Sequence, residues 1–140
     1  MTAHQEAFLR DAHLAVVTTL RADGSPHSTV VWIDAENGDV LVNTARGRAK
    51  ERHLLGDPRV SVLTLDAADA HRWLLVEGRA TLEDEGAGEH IDALALRYQG
   101  PDTRRISEDG PQRVIARIRV ERVEHEGLDE PLGPDESIKK

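Results

Sequence analysis

Cysteine is absent from the 140 residues, methionine occurs once, and only four side chains are aromatic: two Trp, one Tyr and one Phe. The missing cysteine removes disulfides, thiolate metal sites and a cysteine nucleophile together, and it matches a reducing cytoplasmic setting. With aromatics at 3%, the core has to be assembled from Val, Leu, Ile and Ala. No apolar run approaches the roughly 20 residues of a membrane helix, and the opening MTAHQEAFLRDAH carries charge where a leader would carry an apolar stretch. Lysine is scarce as well, with three against fifteen arginines, two of the three being Lys139 and Lys140. Acidic residues number 26 against 18 basic ones, for a net charge of −8. Such a balance argues against general nucleic-acid binding, which rests on neutralising phosphates. These exclusions leave one small, soluble, cytoplasmic domain with no membrane and no nucleic acid among its expected partners.

The absences extend to catalytic motifs. The seven histidines, at 4, 13, 27, 53, 71, 90 and 125, form no HxH or HxxxH pair, so no metal site is expected. There is no GxSxG elbow and no GxGxxG opening a helix after a strand. The acidic clusters EDE at 83–85 and DE at 129–130 read as solvated turn or tail. If the chain is an enzyme, a bound cofactor carries the chemistry and the protein supplies binding and orientation.

What is present is strand pattern. TAHQEAFLRDA reads as a short helix with Phe8 and Leu9 as its apolar contacts. HLAVVTTL (13–20) is a β-branched strand, and Asp23-Gly24 turns it into a second, HSTVVWI (27–33). Asn37-Gly38 turns again into the short strand VLVNT (40–44). RGRAKERHLL reads as a helix of two to three turns, ended by Gly56 and Pro58. RVSVLTL (59–65) and the long RWLLVEGRATLED (72–84) follow as strands, with Gly78 marking a bulge or close backbone approach. In GEHIDALALRY (88–98), Ile91, Leu94, Ala95 and Tyr98 share one helical face. After a polar loop, RVIARIRVERVEHE (113–126) alternates as a strand with one wet face. The tail from Leu128 is rich in Pro, Gly and acid, and is expected to be loose. Together these describe a mainly β chain with short helices (α+β), a six-stranded antiparallel barrel over residues 1–127, and a flexible tail over 128–140.

Within this acidic chain, TARGRAKERH (44–53) gathers Arg46, Arg48, Lys50 and Arg52 against the single acid Glu51. A helical reading puts Arg46 and Lys50 on one ridge and Arg48 and Arg52 on another. Two readings are open from the residues alone: a dock for an anion at a strand-to-helix junction, with Gly47 allowing close approach, or a solvated helix short of acids. Lys50 favours the dock, since an ammonium on a flexible stem suits phosphate oxygens. Trp32 and Trp73 are expected to serve packing. His27 and Thr29 share a strand face that could line a pocket or a core.

Three segments, HLAVVTTLRADGSPHSTVVWI, VLVNTARGRAKERHLLGDPRVSVLTL and RWLLVEGRATLED, resemble the pyridoxamine 5′-phosphate oxidase-like split β-barrel family, and within it the branch of small reductases dependent on the deazaflavin coenzyme F420. The resemblance implies a Greek-key split barrel, a homodimer with two cofactor sites at its interface, and hydride transfer between the deazaflavin and a small conjugated or oxidised molecule, such as a quinone, a tetrapyrrole like biliverdin or an unsaturated lactone. It implies the ring against the second strand near His27, Thr29 and Val31. The phosphate end would meet Thr44, Arg46, Gly47, Arg48 and Lys50, with Arg72 and Trp73 approaching from the fifth strand. FMN is the alternative cofactor; a non-catalytic carrier of flavin, deazaflavin or haem is the alternative function. His53 stands where the family often has asparagine, and Val30 where some members have asparagine.

Overall fold

The computed structural model describes residues 1–11 and 13–129. Its elements are α1 (Ala3–Leu9), β1 (Leu14–Leu20), β2 (Pro26–Val31), β3 (Ile33–Glu36), β4 (Asp39–Ala45), α2 (Ala49–Gly56), β5 (Arg59–Asp66), β6 (Asp69–Glu83), α3 (Ala87–Gln99), a 3-10 turn (Ile106–Glu108) and β7 (Arg113–Glu126). All seven strands lie in one antiparallel sheet of order β2-β1-β5-β6-β7-β4-β3. The mainly β, antiparallel expectation holds, but six strands become seven. The expected strand 27–33 divides at Trp32: Pro26–Val31 pairs with β1, whereas Ile33–Glu36 turns through Asn37-Gly38 to pair with β4. Both turn residues have positive φ, +53° and +83°, as a tight hairpin of right-handed twist requires.

That division shapes the molecule. β2 and β3 are the two outer edges of the sheet, yet Trp32 alone separates them in the chain. Two peptide units span at most about 7 Å, so the sheet must curl until its edges approach without pairing.

The interior is aliphatic, as the composition requires. Val17, Val62, Leu74, Val76, Val42 and Ile118 are essentially inaccessible, joined by Phe8 and Leu9 of α1. A Thr2–Gln5 capping box starts α1. The β6–β7 register shifts at Glu77/Gly78, and a Cβ on Gly78 would lie 2.0 Å from the Arg119 carbonyl oxygen, so this position admits only glycine. Leu128, where the loose tail is expected to start, is buried in the core; the rest of that expectation, residues 130–140, lies outside the described residues. No helix among the described residues is long and apolar enough to cross a membrane.

Candidate anion-binding cleft

β4 ends at Ala45, and the chain turns at Gly47, whose φ of +87° suits glycine. Arg48 is extended at the N-cap, so α2 begins at Ala49 rather than at Arg46. The helical-ridge assignment therefore does not apply to Arg46 and Arg48; the turn sends them apart. Arg46 donates to Asp84 Oδ1 at 2.6 Å and to Glu51 Oε2 at 2.9 Å. Glu51 also accepts from the Gly47 amide at 3.1 Å, so the helix's own carboxylate occupies that corner.

Arg48 and Lys50 go to the other side. With Val30 and Val31 from the end of β2, Trp32 just after it, Asn43 and Thr44 from β4, Arg113 from β7 and apolar residues of α3, they line a cleft of about 350 Å³. Lys50 Nζ donates to Thr29 Oγ1 at 3.0 Å. Among the described residues, no carboxylate forms a salt bridge with Lys50, Arg48 or Arg113. Burial, then the neighbouring Arg48 and Arg113, push the Lys50 ammonium below its ordinary pKa. Burial and Arg48 likewise lower Arg113. Asp92, the acid nearest enough to oppose this, is engaged by the Ser107 amide at 3.0 Å, by the Ser107 hydroxyl and by Arg105. Thr44 is buried at the cleft, and its Oγ1 has no hydrogen-bond partner.

A second hollow, of about 1040 Å³, lies beyond Thr29 between the β1–β2 turn and α2. His27, His53 and Arg52 border it. His53 Nδ1 and Thr19 Oγ1 lie 2.8 Å apart, so the ring pins α2 to β1, and His27 meets it edge-on at 5.1 Å between centroids. Burial, then His27 and nearby cations, lower the His53 pKa. His27, Thr29 and Val31 share the partly covered face of β2, while Val30 points outward at 72% exposure.

Thr29, Val31, Thr44, Arg48 and Lys50 thus come together, with His27 adjoining. Arg46 and Gly47 meet Glu51 instead. Arg72 and Trp73 lie three strands from β2, about 14 Å along the sheet; Arg72 pairs with Asp66 at 2.7 Å and Trp73 Nε1 donates to Glu126 at 3.2 Å. Sequence reasoning does not reach Asn43 or Arg113 and assigns Trp32 to packing alone, although it both stacks on Tyr98 at 5.5 Å and lines the cleft. The one sequence signal for Arg113 is its place at the head of an alternating strand.

Residues 1–127 match the pyridoxamine 5′-phosphate oxidase family. Over 122 residues the chain is 36% identical to a biliverdin reductase of Mycobacterium tuberculosis that depends on reduced F420, covering 84% of this chain and 82% of that one. A solved F420 reductase structure superposes with a TM-score of 0.75 at 24% identity, covering 85% of this chain and 94% of that one. A conserved hypothetical protein of Mycobacterium tuberculosis superposes at 0.73 with 26% identity, covering 97% and 94%.

Proposed function

The chain belongs to the pyridoxamine 5′-phosphate oxidase family, and from that premise we propose that it is an F420-dependent oxidoreductase acting on a small conjugated or oxidised organic molecule, with an open-chain tetrapyrrole such as biliverdin as the first candidate. One observation carries the proposal. Lys50, Arg48 and Arg113 share a cleft in which, among the described residues, no carboxylate pairs with them, in a chain of net charge −8. Arg48 is exposed at the rim, but Lys50 and Arg113 are partly withdrawn from water, and holding like charges there is costly unless a counter-charge completes the site. The residues fit an anionic cofactor on this ground, and Thr44 offers an unused hydroxyl beside them. F420 carries a phosphodiester followed by glutamate carboxylates, an anionic tail that matches several cations better than one phosphate does.

When bound, reduced F420 supplies a hydride; the protein's share is binding and orientation. Lys50 and Arg48 hold the tail as point charge and fork respectively. Thr29, fixed by Lys50, and Val31 present the face of β2 to the ring. His27, two residues along that face, brings an imidazole beside the ring as a hydrogen-bonding group.

The site is completed by a second copy. On the outer face of the sheet Val30, Val16, Leu63 and Leu75 stand in one cross-strand row, and Leu14, Leu65 and Trp73 in the next. Leu14 is 54% and Val30 72% exposed, an apolar patch that a homodimer would cover. Arg72 and Trp73 then belong to the partner's cofactor site. Sedimentation is expected to give a dimer at micromolar concentration, burying more than about 2,000 Å²; a stable folded monomer counts against it.

Titrating the protein separately with F420 and FMN, then following oxidation of reduced F420 with biliverdin, quinones and unsaturated lactones, tests the activity. F420 is expected to bind tighter and to be consumed with at least one of these. FMN binding at least tenfold tighter would replace the cofactor, and tight F420 binding without turnover would make the chain a carrier.

A further inference from the structure

We infer that Arg113 is a third ligand for the anionic tail, and that Asn43, His90 and Asp34 form a hydrogen-bonded chain whose purpose is to hold its guanidinium in the cleft. The inference rests on the cleft being the cofactor site.

Arg113 Nε donates to Asn43 Oδ1 at 2.9 Å, which fixes the guanidinium at its inner edge and leaves the outer nitrogens for a ligand. Asn43 is buried on β4, and its amide has only one workable orientation. Its Nδ2 donates to the Ala87 carbonyl at 2.9 Å and lies 3.1 Å from His90 Nδ1. Turning the amide over would set oxygen against the Ala87 oxygen and N–H against the Arg113 N–H. His90 Nδ1 must therefore accept, and the ring proton sits on Nε2, which donates to Asp34 Oδ2 at 3.0 Å. Burial acts to raise the Asp34 carboxyl, but hydrogen bonds from His90 and Arg97 outweigh it and hold it ionised far below the ordinary carboxylate range. Arg97 closes the chain at 2.9 Å from Asp34 Oδ1.

Every member has one role compatible with its neighbours. A carboxylate on β3 sets the tautomer of a histidine on α3, which sets the amide on β4, which sets the arginine on β7. A second proton on His90 breaks this order, because Nδ1–H would then face Nδ2–H. Other charges bear on that ring from the groove behind it: the carboxylates of Glu36, Glu83, Glu85 and Glu89, and the guanidiniums of Arg10 and Arg117. They act on wild type and on His90 variants alike.

The test is F420 titration of the full-length protein and its variants, with the melting temperature of each recorded. Lys50→Ala and Arg113→Ala should each weaken binding by roughly ten- to a hundredfold, as loss of a charge-assisted contact does. His90→Ala should weaken it about fivefold. His90→Gln, which offers an oxygen to Asn43 and an N–H to Asp34, should stay within about twofold of wild type. In an Arg113→Ala background, His90→Ala should cost almost nothing further, since nothing remains to be positioned. Normal binding by Arg113→Ala beside impaired Lys50→Ala overturns the inference and leaves the cofactor site standing. Normal binding by Lys50→Ala overturns the cofactor site, and the inference with it. Equal losses for His90→Ala with and without Arg113, or equal losses for His90→Ala and His90→Gln, mean that His90 only supports the fold and overturn the positioning chain.

Discussion

Arg46 and Arg48 stand two residues apart and meet opposite fates. Arg46 is held by two carboxylates, Glu51 and Asp84, and Arg117 in the next groove by three, Glu83, Asp39 and Glu36. Arg48 enters a cleft with Lys50 and Arg113 in which, among the described residues, no such partner is paired. In a chain with eight more acids than bases (26 − 18), pairing an arginine is easy. Leaving three cations together without acids is the informative arrangement. Paired cations report on the fold, and unpaired ones gathered in a single cleft report on what binds.

The sharpest way to press that contrast is to convert the unpaired region into a paired one. Lys50→Glu places a carboxylate between Arg48 and Arg113. Binding of F420 should fall by at least about a hundredfold, since an attraction is replaced by a repulsion. The ligand-free protein should melt higher, because the new carboxylate compensates two cations. Titration and thermal unfolding of one preparation read both signs, and a lower melting temperature would mean that the cations are not under strain.

Arg46→Ala addresses the paired region. It strands Glu51, which is 8% exposed and keeps only the Gly47 amide. The melting temperature should drop by roughly a few degrees, while F420 affinity stays within about twofold. A binding loss as large as that of Lys50→Ala would place Arg46 in the cofactor site after all.

A smaller effect follows from protons. The Lys50 pKa is depressed in the folded protein, so between that value and the ordinary lysine value the unfolded chain binds more protons than the folded one. Stability of the ligand-free protein should therefore gain from Lys50 as pH rises through that window. A Lys50→Met variant should lack this gain and melt slightly higher near neutral pH. Chemical denaturation at a series of alkaline pH values measures the difference, and a wild-type curve falling relative to Lys50→Met would reverse the sign.

The same contrast explains what was legible in the sequence. Local chemistry was readable: Asn37-Gly38 as a hairpin, Gly56 and Pro58 as a helix stop, Gly78 as a close approach, and the cationic stretch with its odd lysine. The break at Trp32 was not, since VVWI continues the β pattern and only the pairing of each half with a different strand divides it. Nor was the start of α2, because RGRA suits a helix until Gly47 adopts positive φ. Arg113 reaches the cleft through the β4–β7 register, Ala45 opposite Arg113, a nonlocal fact that no window of sequence encodes. Which arginine is paired and which is not depends on Asp84, brought from the end of β6. His53 is accounted for by its contact with Thr19.

Arg52 gives the smallest expected effect and the finest test of the comparison. It lies in the same cationic stretch, two residues past Lys50, and no carboxylate forms a salt bridge with it among the described residues. It is not in the cleft, however: its Nη1 donates to the Gly47 carbonyl at 2.6 Å, and it borders the hollow on the far side of α2. If binding depends on contact geometry, Arg52→Ala should weaken F420 by about twofold or less, the size of a screened exposed charge beyond direct reach. That residual loss should vanish when ionic strength is raised, whereas the Lys50→Ala loss should largely persist, because buried contacts are screened less. Titrating both variants at low and high salt separates the two terms. Equal losses that disappear together would mean that the stretch acts as diffuse positive charge, and that the distinction between paired and unpaired cations carries no specificity.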